Sequence, residues 1–103
     1  MAVAFVQEFA IVNGDLSTTN YDAVSRELGL TSKPDGLVVH TAGFDHDRGV
    51  FRIVDVWESR EAGRRFMDEK LMPIVERMAA TAPPESFAPP TSETWYELHD
   101  VIS

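Results

Sequence analysis

The sequence contains no cysteine. That removes disulfides, thiolate nucleophiles and cysteine metal sites together, and it fits a reducing compartment. Positive charge is also scarce: nine Lys and Arg stand against 17 Asp and Glu, giving a net charge of −8. A surface of that sign repels phosphate backbones and anionic lipid, so neither nucleic acid nor a membrane is an expected partner. No apolar run approaches the roughly 20 residues that span a bilayer. Residues 1–12 are apolar but interrupted by Gln7 and Glu8, with no Lys or Arg ahead of them, which is unlike a signal peptide. The expected location is the cytoplasm. There is no G-x-G-x-x-G, no P-loop and no Gly-x-Ser-x-Gly elbow, so nucleotide cofactors and serine-hydrolase chemistry drop out. At 103 residues the chain has the size of one domain, taken here as residues 1–103.

What is present is organised around residues 52–75. The first part alternates as a strand, with Ile53, Val54, Val56 and Trp57. Ser59 then offers an N-cap, and Ala62, Phe66, Met67, Leu71, Ile74, Val75 and Met78 recur every three or four residues along one helical stripe. Pro73 lies inside that stripe. It removes an amide and collides with the carbonyl four residues back, which predicts a kink or break near residues 70–72 and a second segment over 74–78.

The remaining elements fall around this pair. Residues 3–12 read as a strand ended by Asn13-Gly14-Asp15. A short helix, capped at Thr18, Thr19 or Asn20, carries Tyr21, Val24 and Leu28 to a closing Gly29. Lys33-Pro34-Asp35-Gly36 is a turn; residues 37–44 and 49–57 form a hairpin across a tight polar connection. The proline-rich segment 82–91 makes a stiff connection to a last strand over 92–102. The order is β-α-β-β-α-β, an α+β ferredoxin-like arrangement with a four-stranded antiparallel sheet. Two helices cover one sheet face. Neither parity of residues 3–12 or 37–44 gives a clean polar face, so the other face also needs a cover, and a second copy of the chain is the natural one.

The run Val56-Trp57-Glu58-Ser59, followed by Ala62, Phe66, Leu71 and Pro73, resembles the antibiotic-biosynthesis-monooxygenase-like domains of the dimeric α+β barrel group. The resemblance implies a ferredoxin-like protomer, two of which close their sheets face to face, with a pocket between each protomer's helices and sheet. Members include cofactor-independent oxygenases of aromatic polyketides, haem-degrading enzymes, lactone isomerases and proteins without known activity. The haem-degrading members carry a histidine on the second helix, and residues 59–80 contain none. No cofactor and no metal is therefore expected. Trp57, Trp95, Tyr21 and Tyr96 are the plausible counterparts of the oxygenases' pocket aromatics, with Phe66 and Met67 as further lining; the alternative for Trp57, Phe66 and Met67 is ordinary core.

The candidate catalytic residues are His40, Asp55 and His99. His40 and His99 are each placed in a strand, and an imidazole needs only a modest shift to serve as a general base. The bland alternative is a hydrogen-bonded histidine in or near the core. His46, between two aspartates in the hairpin turn, reads as solvated loop, and the Asp45–Asp47 spacing falls short of a metal site. Asp55 is a carboxylate inside a β-branched strand, so it needs a partner from another strand. A hairpin centred on Asp47 pairs residues whose numbers sum to 94 or 95. The odd sum sets His40 beside Asp55; the even sum sends them to opposite faces. An enzyme acting on a hydrophobic aromatic molecule and a non-catalytic binding or structural dimer both remain open at this level.

Overall fold

The computed structural model describes residues 2–12, 14–81 and 89–102. Its elements are β1 (Val3–Ala10), α1 (Thr19–Leu28), β2 (Leu37–Asp45), β3 (Val50–Trp57), α2 (Arg60–Phe66), a π turn (Met67–Leu71), α3 (Met72–Ala79) and β4 (Ser92–Glu97). The strands form one antiparallel sheet in the order β2-β3-β1-β4. This is the ferredoxin-like α+β arrangement expected from the order of elements. Most of the proline-rich connection, and Asn13 of the first turn, lie outside the described residues.

The β2–β3 register decides what each face carries. Leu37 sits opposite Trp57, a sum of 94, but from Val39↔Val56 to Asp45↔Val50 the sum is 95. The slip falls between Leu37 and Val39, where Val38 is the extra residue of a β-bulge. A strand without it would send residues 37 and 40 to opposite sides. With it, Leu37 packs against the buried Trp57 while His40 stands opposite Asp55 on that same side.

Helix starts and stops follow local chemistry. Thr18 precedes α1, and Gly29 closes it at φ 58° with its N–H on the Ser25 carbonyl. That left-handed position costs glycine nothing and other residues about 1 kcal/mol or more. Ser59 Oγ accepts the Ala62 N–H at 3.1 Å, so the strand β3 passes into α2 through two residues. The disturbance at Pro73 takes the form of a π turn rather than a loop. The Met72 N–H reaches back to the Met67 carbonyl, five residues away, and α3 begins with the proline in its first turn, where no amide is required.

The core is small and aromatic. Val3, Phe5 and Trp57 are buried, and Leu37, Ala62, Phe66, Met67 and Trp95 pack against them. Phe5 and Trp95 stack at 4.1 Å, and Trp57 meets Phe66 at 5.5 Å. Gly63 lets α2 approach this layer. A Cβ there would lie 2.9 Å from Trp57 Cδ1 and 2.9 Å from Trp95 Cη2. The Trp57 ring cannot retreat easily, since it is 1% exposed.

The opposite face carries Ala4, Val6, Val54, Val56, Val39 and Tyr96 by the same alternation. Val39 and Tyr96 are 42% and 49% exposed. Its hairpin end is charged: Glu8 accepts from Arg52 at 2.7 Å and from Arg48 at 3.1 Å, and Arg52 also meets Asp45 at 2.9 Å. Among the described residues, no helix is long and apolar enough to cross a membrane.

β4 is shorter than expected. It ends at Glu97, five residues before residue 102, because Leu98 donates its N–H to the Ala2 carbonyl at the very start of β1's partner row and no strand remains to pair beyond it. His99 is therefore outside the sheet, in an exposed bend, and does not share the face of Trp95 and Glu97.

Replacing Gly63 by alanine tests the close approach. Alanine favours a helix interior by about 1 kcal/mol, yet overpacking of this kind costs about 1–3 kcal/mol. Gly63→Ala should lower the urea unfolding midpoint; a midpoint equal to or above that of the wild type would contradict the packing described.

Candidate functional site

The paired register brings three chemically matched side chains into one line on the helix-covered side. Asp55 Oδ1 contacts Nδ1 of His40 in a short hydrogen bond. A carboxylate can only accept, so the imidazole proton sits on Nδ1. In the neutral ring Nε2 is then an acceptor, and the Tyr21 hydroxyl donates to it at 2.6 Å. Tyr21 comes from the first turn of α1, His40 from β2 and Asp55 from β3. Three elements converge on one hydrogen-bonded line.

Packing holds the line in place. The Tyr21 ring lies parallel to the imidazole, 8° apart in plane, and meets Phe51 edge-on at 5.6 Å. Phe51 in turn touches Phe44 at 5.0 Å. Side-chain exposure is 39% for His40 and 18% for Asp55, so the carboxylate is set back while the imidazole and phenol reach toward solvent. The Asp55 hydrogen bond raises the His40 pKa above its ordinary value, against a smaller opposing effect of burial. Burial first, then the charges of Asp55 and Asp22, raise the Tyr21 pKa. Both protons are thus held where they are. The arrangement can accept one proton from outside and store the charge on an imidazolium facing Asp55.

The other candidates fall in different places. Trp57, Phe66, Met67 and Trp95 are brought together, but as the aromatic core beside Gly63. The Trp57 indole N–H is buried and meets no acceptor among the described residues, an uncommon condition for a buried donor. Trp95 is covered on one side by Phe5 and flanked on the other by the guanidiniums of Arg60 and Arg64, 5.3 and 5.6 Å from its ring. His99 is remote from the line. A hollow of about 250 Å³ is lined by Thr41, Ala42, Gly43, Phe44 and Asp45 of β2 with Arg52 and Val54 of β3, and neither His40 nor Asp55 lines it. Among the described residues no three His, Asp or Glu side chains gather as metal ligands.

No family model matches the sequence, and no curated protein is similar enough in sequence to count as a relative. Solved structures are informative. SnoaB from Streptomyces nogalater, a cofactor-independent oxygenase, superposes with a TM-score of 0.62 at 18% identity, over 98% of this chain and 96% of its own. A candidate antibiotic biosynthesis monooxygenase from Chloroflexus aurantiacus gives 0.63 at 15% identity, over 100% and 98%. The chain shares the ferredoxin-like α+β fold of these structures. The heme-degrading protein Rv3592 from Mycobacterium tuberculosis shares it too, with a TM-score of 0.61 at 14% identity and full coverage of both chains. One fold therefore hosts different chemistries, and the site residues must be argued from this chain.

Sequence reasoning found His40 and Asp55 by alternation and turn position. It placed Tyr21 among pocket aromatics but not on the imidazole, because a contact between α1 and β2 has no sequence period. The sign that was available is the polar tip of Tyr21 on an otherwise apolar helix stripe. Gly63 was passed over; its signal was a glycine inside a strong helical pattern, which usually has a packing reason.

Proposed function

We propose that this chain acts as a cytoplasmic homodimeric α+β barrel that binds a hydrophobic aromatic molecule and, with His40 as general base, oxidises or isomerises it without a cofactor. The observation that carries the reading is the Tyr21–His40–Asp55 line. A base held in one tautomer by a carboxylate is what removal of a proton from an acidic phenol or enol requires. The anion left behind is electron-rich enough to react with dioxygen itself. For an anthrone the balance is simple: the ring CH₂ becomes C=O, one oxygen atom enters the product, and the other leaves as water with the two hydrogens. The oxygenase activity of SnoaB on the same fold supports this choice over others. The absence of cysteine suits a reducing cytoplasm.

The dimer follows from the uncovered face. Val39, Val54, Val56, Val6 and Tyr96 form an apolar surface with no helix among the described residues to shield it. Such surfaces on monomers are normally interaction sites. Two of them joined would bury well over about 1,200 Å². A rival reading, a non-catalytic dimer, draws on the dense packing of Trp57 against Phe66 and Gly63, which fills the space between α2 and the sheet.

Two measurements decide these points. Oxygen uptake with anthrone should exceed the protein-free rate, and His40→Ala should reduce the excess at least about 100-fold, the usual scale of general-base catalysis. No excess uptake by the wild type favours the non-catalytic reading, and an unchanged rate in the variant rejects His40 as the base. Light scattering at micromolar concentration should return twice the mass of one chain; a monomer mass rejects the dimer.

A further inference from the structure

Both nitrogens of His40 are occupied. Nδ1 faces Asp55, and Nε2 accepts the Tyr21 hydroxyl at 2.6 Å. A general base must place its lone pair within hydrogen-bond reach of the proton it removes. His40 has no lone pair left to offer unless Tyr21 moves away. Tyr21 is in the opposite position. Its oxygen donates one hydrogen bond and still has acceptor capacity. Parallel contact with the imidazole and edge contact with Phe51 fix the ring. Hydroxyl on Nε2 and carboxylate on Nδ1 is also the wiring by which a histidine activates a nucleophile in hydrolase triads, recognised by geometry rather than sequence position.

We infer that Tyr21 is the catalytic residue this site presents to a bound molecule, with His40 as its base and Asp55 as the positioning residue behind it. The inference rests on the proton-abstraction reading above and deepens it by naming the group that meets the substrate. As Tyr21 Oη takes the proton of an acidic phenol or enol, its own proton passes to His40 Nε2. The products are a neutral tyrosine, an imidazolium paired with Asp55, and the substrate anion. No free phenolate is formed, which fits surroundings where burial, Asp55 and Asp22 all disfavour a charged Tyr21. The same transfer makes Tyr21 a nucleophile toward an electrophile small enough to reach it. With a sulfonyl fluoride the Oη–S bond forms, the S–F bond breaks, fluoride leaves, and the proton again goes to His40.

The chain has two tyrosines, and this supplies an internal reference. Tyr96 is 49% exposed on the uncovered face, far from any histidine partner in the described hydrogen bonds, whereas Tyr21 is only half-buried beside His40. Phenylmethylsulfonyl fluoride near neutral pH, followed by peptide mass mapping, should modify Tyr21 at least about tenfold faster than Tyr96, a conservative fraction of what a positioned base contributes. His40→Ala should remove that advantage and leave Tyr96 unchanged. Asp55→Asn should move the pH profile of Tyr21 modification to lower pH, a change that a purely structural role for Asp55 does not produce. Equal rates at the two tyrosines, or an advantage that survives His40→Ala, overturn the inference. In the oxygen assay, Tyr21→Phe should lose as much activity as His40→Ala, with far-ultraviolet circular dichroism confirming the fold. Loss in His40→Ala with activity kept in Tyr21→Phe overturns the assignment of Tyr21 and leaves His40 as the direct base. Activity kept in both variants rejects the proton-abstraction reading itself, while the labelling ratio still decides whether Tyr21 is activated.

Discussion

The pairing of β2 with β3, shifted once at Val38, is the constraint on which the rest depends. Asp55 lies in a β-branched strand under α1, where an unpartnered carboxylate would cost several kcal/mol. Leu37 must meanwhile reach Trp57 to complete the core. An unbroken register satisfies one demand or the other. One extra residue satisfies both, setting Leu37 against Trp57 and His40 against Asp55 on the same side of the sheet. A β-bulge next to a functional group is a common means of re-aiming a side chain.

That single slip also defines the second face. With the sum at 95, Val39, Thr41, Val54 and Val56 point away from the helices, joined by Ala4, Val6 and Tyr96. Arg52 closes the hairpin end of this surface by holding Glu8 and Asp45, whose carboxyls are kept below their ordinary range by its guanidinium, with an Arg48 hydrogen bond the larger influence at Asp45. The two faces therefore divide the work. One holds the Tyr21–His40–Asp55 line under the helices, and the other is an apolar surface framed by charge.

Much of this was legible in the sequence, for definite reasons. Alternation over Ile53–Trp57 and the 3–4 spacing from Ala62 to Met78 fixed the order of elements, because burial on one face leaves a period that residues cannot hide. The turn centred on Asp47 limited the hairpin to two registers. Choosing between them needed the bulge, and Val38 carries no mark distinguishing it from Val39. Pro73 announced its disturbance, yet the relief came one turn earlier, where the helix widens into a π turn over Met67–Leu71. His99 was misplaced since apolar Val101 and Ile102 continue a strand pattern past the point where partners run out. The Tyr21–His40 contact joins residues 19 apart through tertiary packing alone, and no local rule reports it.

The His40–Asp55 pair is tested most directly by the histidine titration itself. Followed by nuclear magnetic resonance, His40 should titrate above the ordinary value of about 6.5 in the wild-type protein, and Asp55→Asn should bring it down. A folded-state value above the unfolded one means that the charged pair stabilises the fold fully below about pH 6.5, with the contribution lost as pH rises through the folded value. Thermal melts of the two proteins should accordingly differ most on the acid side of neutrality and converge above it. A wild-type His40 that titrates at or below the Asp55→Asn variant would contradict the register, the pair and the Tyr21–His40–Asp55 line together.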